Sequence, residues 1–366
     1  MSAPAFSGSY AAEDVTFLLK QVELAPTDVE QKERLIQSGQ RHYSEMIAAE
    51  HPPSAEYLEL FERALRLGSN RFAADLARLA KALAQRPTSE VVIVSLARAG
   101  TPVGVLLRRA LTHLGRRTVH YSISIIRDRG IDAVALDHIL SRHPAESLVF
   151  VDGWTGKGAI ATELRAALAD YRASRRVQLD DGLVVVADLA GVASVAATAD
   201  DYLIPSSILN AVVSGLVSRT ILNQQLVKSG DFHACVYYRS LEAHDRSRAF
   251  VDDLTPALET ALADADIVPP LWDDARRATL RAVSESFVAL TMARYRVADR
   301  NRVKPGIGEA TRALLRRLPE RLIVQEPGAA DVVHLEHLAR TRRVAVEHDP
   351  AIPYRAATII QTLGEG

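Results

Sequence analysis

The chain has 366 residues, which is enough for two or three domains, and 48% of them are hydrophobic, enough to bury a sizeable core. A net charge of -1 excludes a global field that would recruit nucleic acid or an anionic membrane, so any charge-driven binding must come from a local patch. The single cysteine, Cys235, excludes an intrachain disulfide and a cysteine-rich zinc site.

Met1 to Tyr10 lacks the basic and apolar regions of a secretory leader, and no run of about 18 apolar residues occurs, so a soluble cytoplasmic protein is expected. Residues 1–90 read as a mostly helical N-terminal cap. Apolar residues recur at helical spacing over Val15–Leu24 and more strongly over Tyr57–Leu83, with breaks at Pro26-Thr27 and Pro52-Pro53. From residue 91 the pattern changes to strand and helix in alternation. Val91–Ser95, Val119–Ile126, Leu148–Asp152 and Leu183–Asp188 read as strands, and Pro102–Leu114 and Ala159 to about Ala173 as helices. This alternation predicts an α/β fold with a parallel sheet covered on both faces, whose ligands bind beyond the carboxyl ends of the strands. Residues 206–298 read as a helical extension broken at Pro256 and Pro269-Pro270. Residues 299–366 read as a small separate α/β domain with helices at Glu309–Leu318 and Ala330–Arg340 and strands at Leu322–Gln325 and Val344–Glu347.

Three strand-end loops carry candidate chemistry. After Val151 come Asp152, Gly153, Trp154, Thr155, Gly156, Lys157 and Gly158, then a helix start at Ala159. Free backbone N–H groups and the helix dipole would make this turn a phosphate cradle, with Asp152 in reach of a ribose hydroxyl or a metal. The second loop, Ser95 to Pro102, offers Arg98 for bidentate contact with a diphosphate, and small Ala99 and Gly100 for close backbone approach. The third, Ile125 to Asp132, holds Arg127, Asp128 and Arg129 and could close over a charged substrate. Each also reads as an ordinary solvated βα connection.

Taken together, these motifs resemble the type I phosphoribosyltransferase superfamily. Val149 to Ala159 is similar to its 5′-phosphate motif and Leu96 to Gly100 to its pyrophosphate loop, although Gly153 stands where many members have a second acid. The resemblance extends, through stretches such as Gln37-Ser38-Gly39, Ser207 to Asn223 and Asn301 to Glu309, to a bacterial group. Its members join this domain to a C-terminal pelota-like RNA-binding domain and are associated with tellurite-resistance and stress gene clusters. The resemblance implies a phosphoribosyltransferase-like parallel sheet (91–298), a pelota-like domain (299–366), and a phosphoribosyl transfer from phosphoribosyl pyrophosphate to a base-like acceptor. On that reading Thr155, Gly156, Lys157, Gly158 and Ala159 hold the 5′-phosphate. Asp152 holds ribose hydroxyls, directly or through Mg2+, and Arg98, Ala99 and Gly100 bind pyrophosphate. Arg127 and Arg129 close over it beside Asp128, and Asp188 or Asp200-Asp201-Tyr202 face the acceptor. The oligomeric state is left open.

Two alternatives stand beside the transferase. Asp231, His233 and Cys235 place an acid, an imidazole and a thiol within five residues, and a cysteine-protease label is attached to this family. Strand geometry would put His233 and Cys235 on one face, although a buried apolar thiol beside Val236-Tyr237-Tyr238 explains the same residues. The third reading is a regulatory RNA binder. Seven basic residues and two acids lie between Arg300 and Arg321. The pelota resemblance implies that Arg302, Lys304, Gly306, Gly308, Glu309 and Arg312 grip structured RNA, a contact that would weaken steeply with salt.

Overall fold

The first strands arise where a helix was expected. The computed structural model describes residues 6–362, so the first five residues of the leader reading and the last four of the C-terminal unit lie outside the described residues. Within Val15–Leu24, Phe17, Leu18 and Leu19 are all buried. Three consecutive buried residues suit a strand covered on both faces better than one helix face. The segment forms β1 (Thr16–Phe17) and β2 (Lys20–Gln21). Helix α1 (Val29–Gln37) follows, capped by Asp28, which accepts the N–H groups of Glu30 and Gln31. Helix α2 (Ala55–Ala84) is capped by Ser54 and buries Phe61, Leu65, Phe72, Leu76, Leu79 and Leu83 along one stripe.

The alternating region then runs β3 (Val91–Leu96), α3 (Gly100–His113), β4 (Thr118–Ile123), a hairpin of β5 (Ile125–Ile126) and β6 (Gly130–Ile131), α4 (Ala133–Leu140), β7 (Leu148–Thr155), α5 (Ala159–Arg175), β8 (Leu183–Asp188) and β9 (Val195–Thr198). The sheet order is β1-β4-β3-β7-β8-β9, parallel throughout. Period-two alternation sends Val91 and Ile93 to the face covered by α2 and α3, and Val92 and Val94 to the face covered by α4 and α5.

The expected helical extension is helical only in its second half. Residues 205–244 form short 3-10 turns and bridges, with Gly215 and Leu216 both at positive φ. Within this stretch β10 (Ala234–Cys235) pairs in parallel with β2. Helix α6 (Ser247–Ala263) runs through Pro256, which costs it one local hydrogen bond, and packs on α2 and α3. Helix α7 (Asp274–Tyr295) begins after Pro269-Pro270.

The C-terminal unit contains β11 (Val303–Pro305), α8 (Ile307–Arg316), β12 (Pro319–Val324), α9 (Val333–Thr341), β13 (Ala345–His348) and β14 (Ala356–Ile360), with sheet order β11-β14-β12-β13. Its buried Ile307, Ala310, Leu314 and Leu322 join the same hydrophobic cluster as α2 and α3, so the unit is fused to the larger sheet domain through a shared core. No helix among the described residues is long and apolar enough to cross a membrane.

Candidate functional site

The carboxyl end of β7 opens into a cleft of about 1240 Å3 between the parallel-sheet domain and the C-terminal unit. Ten lysines and arginines against six acids line it, which makes it electropositive within a nearly neutral chain. The strand runs past Asp152 to Thr155, so Asp152 lies within the ladder, paired with Val185, rather than at its end. Asp152 is buried, its Oδ1 accepts the N–H of Gly153 at 2.8 Å, and burial pushes its carboxyl up to about 6 against the pull of Arg312. Gly158 adopts the left-handed conformation that ends the turn (φ 82°) and starts α5, so Gly156 to Ala159 do face the cleft.

The remaining expected contacts divide between cleft and scaffold. Gly100, beside Ala99 at the start of α3, packs so closely on β7 that a Cβ there would lie 2.6 Å from the Val151 carbonyl oxygen. Arg98 turns away from that loop, donating to Val217 O at 2.6 Å and to the carboxylate of Glu50. Asp188 is consumed by its own surroundings: it accepts the Thr155 hydroxyl and the N–H groups of Ala190 and Ala193. Arg127 lines the cleft, its N–H on the Tyr43 hydroxyl at 2.8 Å. Asp128 (φ 65°) and Gly130 give their N–H groups to Glu163 of α5, and Arg129 lies 3.5 Å from Glu45. The described residues hold no group of three or more His, Cys, Asp or Glu that could bind a metal ion, so Asp152 offers a lone carboxylate there.

The residues expected to grip RNA face inward. Lys157 donates to Arg300 O (2.6 Å) and Val303 O (3.0 Å), holding the C-terminal unit, and burial pushes its ammonium down to about 7. Arg302 donates to Ile360 O and Glu320, and burial holds Lys304 below the usual lysine range. Asp201, weighed as an acceptor residue, instead caps α8 across the domain boundary by accepting the Ile307 N–H at 2.9 Å. Gly306 (φ 84°) sits against Leu189 and Asp201, and Gly308 against the Trp154 ring, where a Cβ would meet indole atoms at 2.3 Å. Arg312 lies 4.4 Å over that ring and 3.3 Å from Glu309. The 152–159 loop and the Pro305–Arg312 segment therefore pack directly on one another across the domain boundary, and Trp154, Glu309 and Arg312 line the cleft beside that contact.

The Cys235 region lies on the short β2–β10 ribbon. The thiol is fully buried, and that burial pushes it up to about 12. Asp231 pairs with Lys20 at 2.7 Å, not with His233. The acid beside His233 is Asp132, which also caps α4: its Oδ2 accepts the His233 backbone N–H at 2.6 Å. The imidazole Nδ1 and the Ser124 hydroxyl are hydrogen-bonded at 2.8 Å, and burial holds the ring below its usual range. No hydrogen bond joins the thiol to the imidazole among the described residues. Sequence reasoning read Asp132 only as part of a charged loop and missed Ser124 and Glu50; their partners lie about 50 to 160 positions away, and local spacing carries no such signal.

Two expected outcomes follow from the cleft walls. Asp152 binds its proton more tightly folded than unfolded, so stability declines as pH rises from about 4 through 6. Asp152→Asn should flatten that slope, raising unfolding free energy by roughly 1–3 kcal/mol at pH 8 and by nothing at pH 4, as read by urea unfolding. Gly308→Ala should destabilise the docked C-terminal unit by roughly 1–3 kcal/mol, because the rigid indole cannot swing clear, and thermal unfolding checks it.

Residues 8–255 match the family described as tellurite-like stress resistance cysteine protease StiP, and residues 282–362 match the PELOTA RNA binding domain. A curated relative, "Cysteine protease StiP" of Acinetobacter baylyi, is 43% identical over 99% of this chain and 96% of its own. Among solved structures, a hypoxanthine phosphoribosyltransferase of Trypanosoma cruzi is 16% identical with a TM-score of 0.25, covering 40% of this chain and 82% of its own. A point mutant of that enzyme, complexed with the product IMP, reaches 14% and 0.27, covering 54% and 92%. Structural likeness at that level carries no argument. The full-length relative corrects the expectation of a magnesium-dependent glycosyltransferase using phosphoribosyl pyrophosphate: it is named as a protease, a hydrolase rather than a transferase.

Proposed function

We propose that this chain, which belongs to the StiP family of tellurite-like stress resistance cysteine proteases, is a thiol-dependent peptidase whose nucleophile is Cys235. The observation that carries the reading is simple. The relative matched along nearly the whole chain is named a cysteine protease, and this chain holds a single cysteine. On this reading the Cys235 thiolate attacks the scissile carbonyl carbon and the peptide C–N bond breaks. The amine leaves with a proton from His233, and water then hydrolyses the thioester. His233 stands just before β10 at i, i+2 from Cys235, with Asp132 against its backbone, and that acid's charge offsets part of the burial that disfavours the imidazolium.

Turnover needs the thiol uncovered, since a buried thiol with its proton held to about 12 is inert. Cys235 itself belongs to the β2–β10 ribbon, which is two residues long on each side, and its side chain lies in the main apolar cluster, so uncovering it requires this ribbon to draw away from that cluster in a local opening. The test is hydrolysis of a quenched-fluorescent peptide library by the full chain before and after thiol alkylation under mild urea. The reading requires that alkylation at Cys235 removes hydrolysis; equal rates before and after would sink it.

The PELOTA match favours a second role, and we propose that the C-terminal unit binds structured RNA in an undocked state, on a phosphoribosyltransferase-like sheet domain that serves as its scaffold. Lys304, Gly306, Gly308 and Arg312 are occupied by Trp154, Asp201 and the cleft when docked. Gly308→Ala should therefore tighten binding of an RNA hairpin in fluorescence anisotropy, and added salt should weaken it. Binding unchanged by either would contradict this role.

A further inference from the structure

The wall of the cleft away from the 152–159 loop holds three cations, Lys32, Arg219 and Arg316, none of which forms a direct ion pair among the described residues, although Glu33 and Glu50 act on Lys32 and Arg316 from a distance. Arg316, at the end of α8, donates both Nε and Nη2 to a single neutral atom, Asn210 Oδ1. Arg219 donates Nη2 to the carbonyls of Tyr43 and Met46, while its buried Nη1 has no hydrogen-bond partner. Lys32 of α1, only 5% exposed, makes one long contact, 3.4 Å, to Arg316 O. The acids nearby are already committed. Glu50 serves Arg98 and the Ala211 N–H, and Glu33 takes Arg317 bidentately.

Buried charge is normally paired, because leaving a cation with only neutral partners in a low-dielectric site costs several kcal/mol. Here three converge on one cavity and repel one another: burial together with neighbouring arginines holds Lys32 down to about 8 and Arg219 to about 10. A multivalent anion in the cavity would balance such a wall. A peptide carboxylate brings one charge, whereas a phosphate ester or diphosphate brings two or more and matches the guanidinium forks.

We propose that Lys32, Arg219 and Arg316 form a binding site for a small phosphorylated ligand, in the cleft between the parallel-sheet domain and the C-terminal unit. The site joins α1, the 205–223 segment and α8, so a bound phosphate ties the two domains together. It is separate from Cys235 and stands whether or not the peptidase reading does. Arg219 also sits two residues before Ile221, which bridges Ala234 of the strand that carries Cys235.

The test is calorimetric titration and thermal unfolding of the full chain with inorganic pyrophosphate, against sodium chloride at matched ionic strength. Pyrophosphate at millimolar concentration should raise the unfolding temperature by several degrees beyond the salt control. Arg219→Gln and Arg316→Gln should each weaken binding at least tenfold. Lys32→Met, which removes a buried cation whose one hydrogen bond is long, should also weaken pyrophosphate binding while unfolding no earlier than the native chain in its absence; this separates a lost site from a lost fold. No effect of pyrophosphate beyond salt, or undiminished binding by both arginine variants, would overturn the proposal.

Discussion

Cys235→Ala is expected to abolish peptide hydrolysis, by at least about 10^3-fold, while the chain still folds. The thiol is fully buried in the apolar cluster, and alanine there removes one atom from a site that asks only for a small apolar group. Loss of activity with a native circular dichroism spectrum would separate chemistry from folding. The same thiol predicts a second observable. Held at about 12, its thiolate population is roughly a thousandth or less of that of a free thiol at pH 8. Alkylation of the native chain should therefore be slower than that of the denatured chain by more than this factor, since burial also blocks access. Sub-denaturing urea should speed alkylation before global unfolding begins.

Glu50→Ala is expected to have the largest effect on stability, about 3–5 kcal/mol. Its carboxylate joins the guanidinium of Arg98, which is 5% exposed, to the Ala211 N–H, and burial alone would raise it, yet Arg98 and Arg316 hold it below its usual range. Without it, Arg98 keeps its charge in the core with only Val217 O to accept from it. Val217 bridges Tyr237, and Ile221 bridges Ala234, so the damage passes to the strand bearing Cys235. Chemical unfolding should register the loss, and alkylation of Cys235 should accelerate in parallel. Glu50→Gln, which keeps the shape, should fall between native and Glu50→Ala in both measurements.

The parallel sheet was legible because its signals are local. Val91 to Ser95 and Leu183 to Asp188 are apolar β-branched runs, and turn residues bound them. What failed was the reading of segments whose structure is set from far away. Val15 to Leu24 has apolar residues at helical spacing, and only pairing with β4 and β10 makes its Phe17 to Leu19 run part of two short strands. The 205–244 stretch has helical spacing at Ser214, Ser218 and Arg219 but is held by bridges to residues near 234–237. In the site, the loop after Val151 reads as a phosphate cradle with Asp152 at the strand's end; Gly156 to Ala159 line a cleft, and Asp152 lies inside the ladder. The Pro305–Arg312 segment packed against this loop reads as an RNA surface, because nothing local reveals that Trp154 packs into the space left by Gly308. The acid near His233 was misassigned to Asp231, which lies close in sequence, whereas Asp132, 101 positions away, is the one in contact. The reaction was misjudged because a strand–acid–glycine loop specifies a scaffold, and scaffolds of one kind serve many chemistries.

The most direct test of the peptidase account is to trap the nucleophile during turnover. The full chain would be incubated with a peptide library bearing a thiol-reactive vinyl sulfone, then examined by intact mass and peptide mapping while hydrolysis is followed in parallel. The account predicts one adduct per chain, on Cys235, growing in proportion to the loss of hydrolysis, and neither adduct nor hydrolysis with Cys235→Ala. Hydrolysis that persists in Cys235→Ala, or in fully adducted chain, would contradict it.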